Sequence, residues 1–185
     1  MNSTIEVSNL NLKVGDSGTL KFKLTDSNGD PIANKGVNII INGANNKIST
    51  DSKGTGSLKV KYSTAGSYYI VLSYLGDEDY KASINNAKIT VTKKASTITA
   101  PKATAKVKKT KAIKISLKSS GKAISSKKIT LTVNKKTYQA KTNSKGIATI
   151  KVKINKKGTY KYTVKFAGDN SYKAISKSGK VVVKK

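Results

Sequence analysis

Histidine, cysteine, arginine and tryptophan are all absent from the 185 residues, and 9 acidic side chains stand against 37 basic ones. Each absence excludes something. Without cysteine there is no disulfide. Without histidine or cysteine the usual nucleophile–base arrangements cannot be assembled. Without arginine the chain lacks the planar fork that grips phosphate and guanine bidentately, so no specific nucleic-acid partner is expected. No run of 18 apolar residues occurs, so no membrane insertion is expected. Met1-Asn2-Ser3-Thr4-Ile5-Glu6 has neither the basic start nor the apolar core of a secretory signal. Two accounts fit: a cytosolic chain, or a fragment of a larger exported protein, extracellular at the cell surface, with Met1 added. The second is favoured.

What is present is a duplication. Ser96-Thr97-Ile98 repeats Ser3-Thr4-Ile5 at an offset of 93. The same offset aligns Leu20, Phe22 and Leu24 with Ile113, Ile115 and Leu117. At an offset of 92, Val37, Ile39 and Ile41 meet Ile129, Leu131 and Val133, and the turn Thr50-Asp51-Ser52-Lys53-Gly54 meets Thr142-Asn143-Ser144-Lys145-Gly146. Gly76-Asp77 with Tyr80-Lys81-Ala82 meets Gly168-Asp169 with Tyr172-Lys173-Ala174. The repeat divides the chain into residues 1–94 and 95–185, each close to the ~100 residues of an immunoglobulin-type sandwich.

Within each copy the hydrophobic period is 2. Leu20-Lys21-Phe22-Lys23-Leu24 and Ile150-Lys151-Val152-Lys153-Ile154 alternate residue by residue, the pattern of a half-buried strand. The low apolar content, 36%, suits sheets with one wet face. Seven strands are predicted per copy, near 3–8, 18–25, 36–42, 45–50, 55–62, 67–75 and 86–93, then near 96–100, 111–118, 127–134, 137–142, 147–154, 159–167 and 178–184. No helix is predicted. The fold class is all-β, two tandem immunoglobulin-like sandwiches. Tyr68 and Tyr160, each in a Gly-x-Tyr at the start of a strand, are structural candidates for a buried ring whose hydroxyl returns to upstream backbone, as in a tyrosine corner.

The strings GSYYIVLSYLGDEDYKAS and GTYKYTVKFAGDNSYKAI, with DSNGDPIANKGVNIIIN and the TDSKG and TNSKG turns, resemble bacterial-type Ig-like repeats. The lysine-rich, arginine-free style is most similar to adhesin-like surface proteins of methanogenic archaea. The resemblance covers almost the whole chain twice and implies modular stalks and cell-surface adhesion. The second copy departs from it at Ser119-Ser120-Gly121-Lys122, which replaces the Asp/Asn/Pro loop.

No catalytic residue, metal ligand or cofactor emerges. Glycosidase chemistry needs two facing carboxylates, and the second copy has Asp169 alone. Asp77, Glu78 and Asp79 read as a solvated turn. Asp26-Ser27-Asn28-Gly29-Asp30 offers oxygen ligands at alternate positions, but Val37 stands where an EF-hand would place Glu, so a hairpin turn is expected over a calcium site. A Lys–Asn isopeptide link would need an inward-facing lysine, and none stands out from the alternation.

Charge separates the copies. Residues 1–94 hold 12 lysines and 8 acidic residues, net +4; residues 95–185 hold 25 lysines and 1 acidic residue, net +24. Lys114, Lys151, Lys153, Lys161 and Lys165 fall at outward positions, with Lys128 and Lys180. They serve either solubility and edge protection or attraction to a polyanion. In the first copy Ile40, Tyr69 and Val71 are outward where the second has Thr132, Lys161 and Thr163. This difference reads either as β-propensity or as an apolar contact site. Three functions follow: an adhesin-like surface segment, a module gripping an anionic wall polymer or glycan, or accessory domains of a larger surface enzyme. The expected partner is a cell-surface or cell-wall component of the same or another cell, whether protein, glycan or anionic polymer.

Overall fold

A computed structural model describes residues 1–185, and all regular structure in it is β. The chain divides into two compact units, Met1–Lys93 and Lys94–Lys185. Lys94 belongs to the second: its N–H donates to the Ser171 carbonyl at 2.8 Å and its carbonyl accepts from the Lys173 N–H at 2.9 Å. No helix is long and apolar enough to cross a membrane.

The first unit contains β1 (Ser3–Val7), β2 (Leu10–Lys13), β3 (Ser17–Asp26), β4 (Gly36–Ile41), β5 (Ala44–Ser49), β6 (Thr55–Lys61), β7 (Gly66–Tyr74) and β8 (Ser83–Thr92). They form a three-stranded sheet, β1-β3-β6, against a five-stranded one, β2-β8-β7-β4-β5. The second unit repeats the plan with β9 (Thr97–Thr99), β10 (Ala103–Lys106), β11 (Thr110–Ser119), β12 (Lys122–Ala123), β13 (Lys128–Val133), β14 (Lys136–Lys141), β15 (Ile147–Lys153), β16 (Gly158–Phe166) and β17 (Ile175–Lys184). Its smaller sheet joins β9, β12 and β15 to β11, and its five-stranded sheet runs β10-β17-β16-β13-β14. Each unit is an immunoglobulin-like sandwich.

Alternation aims the core. Leu20, Phe22 and Leu24 of β3 and Ile113, Ile115 and Leu117 of β11 are buried, as are Ile70 and Leu72 of β7 and Tyr162 and Val164 of β16. Fully burying each such aliphatic side chain contributes about 1.5–3 kcal/mol, and the two units have separate cores.

Seven strands per copy undercounts the structure. The opening strand is broken: β1 pairs antiparallel with β3, then the chain crosses at Ser8-Asn9 so that β2 pairs parallel with β8. In the second unit Pro101 sits in the break between β9 and β10, and β10 pairs parallel with β17. The last strands start earlier than their apolar runs, at Ser83 and Ile175, because Ser83–Asn86 and Ile175–Ser178 complete ladders with β7 and β16.

The shared turns have a common cause. The Asp51 carboxylate accepts the N–H groups of Lys53 and Thr55, both at 2.9 Å, and Asn143 does the same for Lys145 and Ile147 at 3.0 Å. Gly54 and Gly146 follow at φ 70° and 71°, pressed so closely that a Cβ would lie 2.4 Å and 2.6 Å from the carbonyl oxygens of Leu24 and Leu117.

Candidate functional site

The outward face of the first unit's five-stranded sheet carries the apolar residues. Ile40 on β4 lies directly across from Val71 on β7, Val71 faces Asn86 on β8, and Tyr69 faces Lys88. Ile40 is 42% exposed, Tyr69 69%, and Val71 half-buried. Ile84, 69% exposed, extends the face from the start of β8; the sequence prediction began that strand too late to include it. The Lys88 ammonium sits 5.8 Å from the centroid of the Tyr69 ring, within cation–π range. At the equivalent positions the second unit has Thr132, Lys161, Thr163, Ser176 and Lys180, with Lys161 paired to Lys180.

The lysine set divides. Lys114, Lys151 and Lys153 project from β11 and β15, the smaller sheet, whereas Lys161 and Lys165 project from β16 on the opposite side of the sandwich. The five do not form one site. Lys128 and Lys180 share the face of Lys161 and Lys165, on β13 and β17.

Tyr68 and Tyr160 are half-buried, and each hydroxyl donates four residues back, to the Thr64 carbonyl at 3.0 Å and the Lys156 carbonyl at 3.1 Å. The Tyr68 ring stacks on Tyr62 with centroids 3.9 Å apart. Asp26 accepts the N–H groups of Asn28 at 2.8 Å and Asp30 at 3.0 Å, so its carboxylate closes the turn. No cluster of three acidic side chains able to hold a metal forms.

The acidic turn at Asp77 is more than a solvated loop. One Asp77 oxygen accepts the N–H groups of Asp79 at 3.0 Å and Tyr80 at 2.9 Å. The other meets the Tyr74 hydroxyl at 2.7 Å and the Lys35 ammonium at 2.6 Å. The second unit repeats this with Asp169, the N–H groups of Ser171 and Tyr172 at 2.8 Å, and Lys127 at 2.6 Å. Lys35 and Lys127 also lie 6.0 Å and 5.9 Å from the rings of Tyr80 and Tyr172. Buried Thr50 and Thr142 fix the backbone there, each hydroxyl accepting the lysine backbone N–H at 3.0 Å and donating to an upstream carbonyl at 2.7 Å.

The Lys35 partnership, with the Tyr74 hydroxyl, holds the Asp77 carboxyl below the usual range; Asp77 in turn raises Lys35. At Asp169 partial burial pushes upward but is outweighed by Lys127 and the two backbone donors, so its pKa is also lowered. The Lys35–Asp77 ion pair joins the first unit's loop to its sheet.

No protein-family model matches the chain, and no curated protein does. Among solved structures it is similar to the titin domains Z1Z2 in complex with telethonin, at 12% identity and a TM-score of 0.58, covering 98% of this chain and 96% of that one. It is also similar to invasin, a bacterial integrin-binding protein, at 17% identity and a TM-score of 0.55, covering 98% of this chain and 39% of that one. At these identities the likeness is one of fold: two immunoglobulin-like domains in tandem.

Proposed function

We propose that this chain is a non-catalytic, adhesin-like segment of a cell surface, and that its first unit meets a surface partner through the sheet face bearing Ile40, Tyr69, Val71 and Ile84. One observation carries the reading. Two copies of one sandwich present the same face, and only the first leaves large apolar groups in water there. Holding the fold cannot require them, because Thr132, Lys161, Thr163 and Ser176 stand on the equivalent ladders of the second unit. Apolar area retained in water against that alternative marks an interaction surface. Invasin, a bacterial integrin-binding protein, has a region of similar fold; the case for this chain rests on its own face.

The test is binding of the full chain to intact cells and isolated envelopes, wild type against Ile40→Lys plus Val71→Lys. Binding should be lost while the melting curve is nearly unchanged, since both side chains point outward. A double variant that binds as wild type does refutes the assignment.

A further inference from the structure

We propose that the outward face of the second unit's five-stranded sheet binds an extended acidic polysaccharide. This surface lies in the other unit from the apolar face discussed above, and neither reading depends on the other.

Lys128 lies directly across from Lys141, Lys161 from Lys180, and Lys106 from Lys184. Like charges placed opposite one another destabilise a sheet. These three are the chain's lysine–lysine pairs in strand register, and all fall on this one sheet. The first unit places Gly36 opposite Ser49, Tyr69 opposite Lys88 and Lys13 opposite Thr92 at the same positions. The fold therefore does not demand the pairs, and solubility would be served as well by lysines that do not face each other. An anionic group seated between two ammoniums turns each repulsion into an attraction.

The ground between the pairs is hydroxylated. Thr132, Thr163 and Ser178 form one row across the sheet; Thr130, Lys165 and Ser176 form the next. From the Lys161–Lys180 row to the Lys128–Lys141 row is three two-residue steps, about 20 Å at ~3.4 Å per residue. At the far end a groove of about 620 Å3 opens beside Lys128, Thr130, Gln139 and Lys165. The unit's single acid, Asp169, borders that groove but is ion-paired with Lys127, so its charge is compensated.

Cationic rows separated by hydroxyl rows match a chain of sugar rings bearing sulfate, carboxylate or phosphate: ammoniums take the acidic groups and hydroxyls take ring hydroxyls. Nucleic acid fits less well. Single strands are held by aromatic platforms, and none of these rows carries a ring. Duplex grooves are read by an inserted element and by bidentate forks, and a sheet face of lysine and threonine offers neither.

The test uses the full chain with dextran sulfate, neutral dextran and single-stranded DNA at matched charge and at low and high salt. The face variant is Lys161→Thr, Lys165→Thr and Lys180→Thr; the control, losing the same charge from the smaller sheet, is Lys114→Thr, Lys151→Thr and Lys153→Thr. The face variant should lose at least tenfold in dextran sulfate affinity and the control less than threefold. Thr132→Val plus Thr163→Val, with charge unchanged, should weaken dextran sulfate binding and leave DNA binding alone. Independently of any ligand, Lys161→Thr should raise the melting temperature by relieving its repulsion with Lys180. Equal losses in the face and control variants, or DNA bound more tightly than dextran sulfate and lost with the same face, would overturn the proposal.

Discussion

Tyr162 and Gly179 face each other across β16 and β17, and the ring occupies the space a side chain at 179 would need. A Cβ on Gly179 would lie 2.3 Å from Cζ and 2.5 Å from the hydroxyl oxygen. The ring cannot easily yield, because Tyr162 is fully buried and its hydroxyl donates to the Pro101 carbonyl. Gly179→Ala should therefore overpack the core at about 1–3 kcal/mol, offset by about 0.4–1 kcal/mol from restricting the unfolded chain. Tyr162→Ile removes buried volume and the hydroxyl, costing about 2–4 kcal/mol. The first unit shows how the two changes combine: Ile70 faces Ala87 at the same ladder position. The double variant should thus be less destabilised than the sum of the singles, with a coupling of about 1–3 kcal/mol. Urea unfolding followed by far-ultraviolet circular dichroism measures all three. At mid-range the net cost of Gly179→Ala is about 1.3 kcal/mol, which should lower the second unit's melting temperature by roughly 5–10 °C, at about 4–8 °C per kcal/mol for a domain of this size. Additivity within about 0.5 kcal/mol, or a stabilising Gly179→Ala, would refute the reasoning.

Three further outcomes follow from the described contacts. Tyr62 buries a hydroxyl with no hydrogen-bond partner, and burial raises its pKa. Tyr62→Phe should be neutral or stabilising by about 1 kcal/mol in thermal melts, and a clear loss would expose a missed partner. Asp77 and Asp169 have lowered pKa values in the fold, so their contribution is present above the unfolded carboxylate pKa of about 3.9 and is lost as pH falls through the folded values. Stability measured on acidification should fall below about pH 4, and Asp77→Asn with Asp169→Asn should make that slope shallower. Gly54→Ala should cost at least about 1–2 kcal/mol through its positive φ, with the clash against the Leu24 carbonyl in addition; a Tm within error of wild type would contradict the geometry.

The alternating runs made the central ladders legible, because a period of 2 identifies a strand and assigns each residue to a face. The opening strand's switch between sheets was not legible: Leu10-Asn11-Leu12-Lys13 alternates but spans four residues only, Ala103-Thr104-Ala105-Lys106 has side chains too small for a strong pattern, and parallel pairing with β8 or β17 is a tertiary choice. The Lys35–Asp77 pair was missed because Asn34-Lys35-Gly36 lies where alternation gives no facing, and its partner is remote in sequence. Yet the duplication held a signal, since Lys35, Asp77 and Tyr80 recur together as Lys127, Asp169 and Tyr172. The same comparison exposes compensated packing. Phe22 faces Gly56 where Ile115 faces Ala148, and Ile70 faces Ala87 where Tyr162 faces Gly179. Each large residue is matched by a small one across the ladder, in opposite sheets of the two units. Alternation was enough to turn Ile40, Tyr69 and Val71 outward, though not to reach Ile84, and enough to set Lys114, Lys151 and Lys153 on one sheet and Lys161 and Lys165 on the other.

The parallel ladders bear on mechanics. In each unit a strand near the beginning, β2 or β10, runs parallel to the last strand, β8 or β17. Tension applied through the two ends of a unit draws these neighbours in opposite directions along their own axes. Their hydrogen bonds are then loaded side by side in shear rather than opened one after another from an end. A segment built this way yields abruptly, at a force set by the whole short ladder, and transmits load without lengthening until it does. For the surface segment proposed above, such a ladder would let each unit carry load without unfolding.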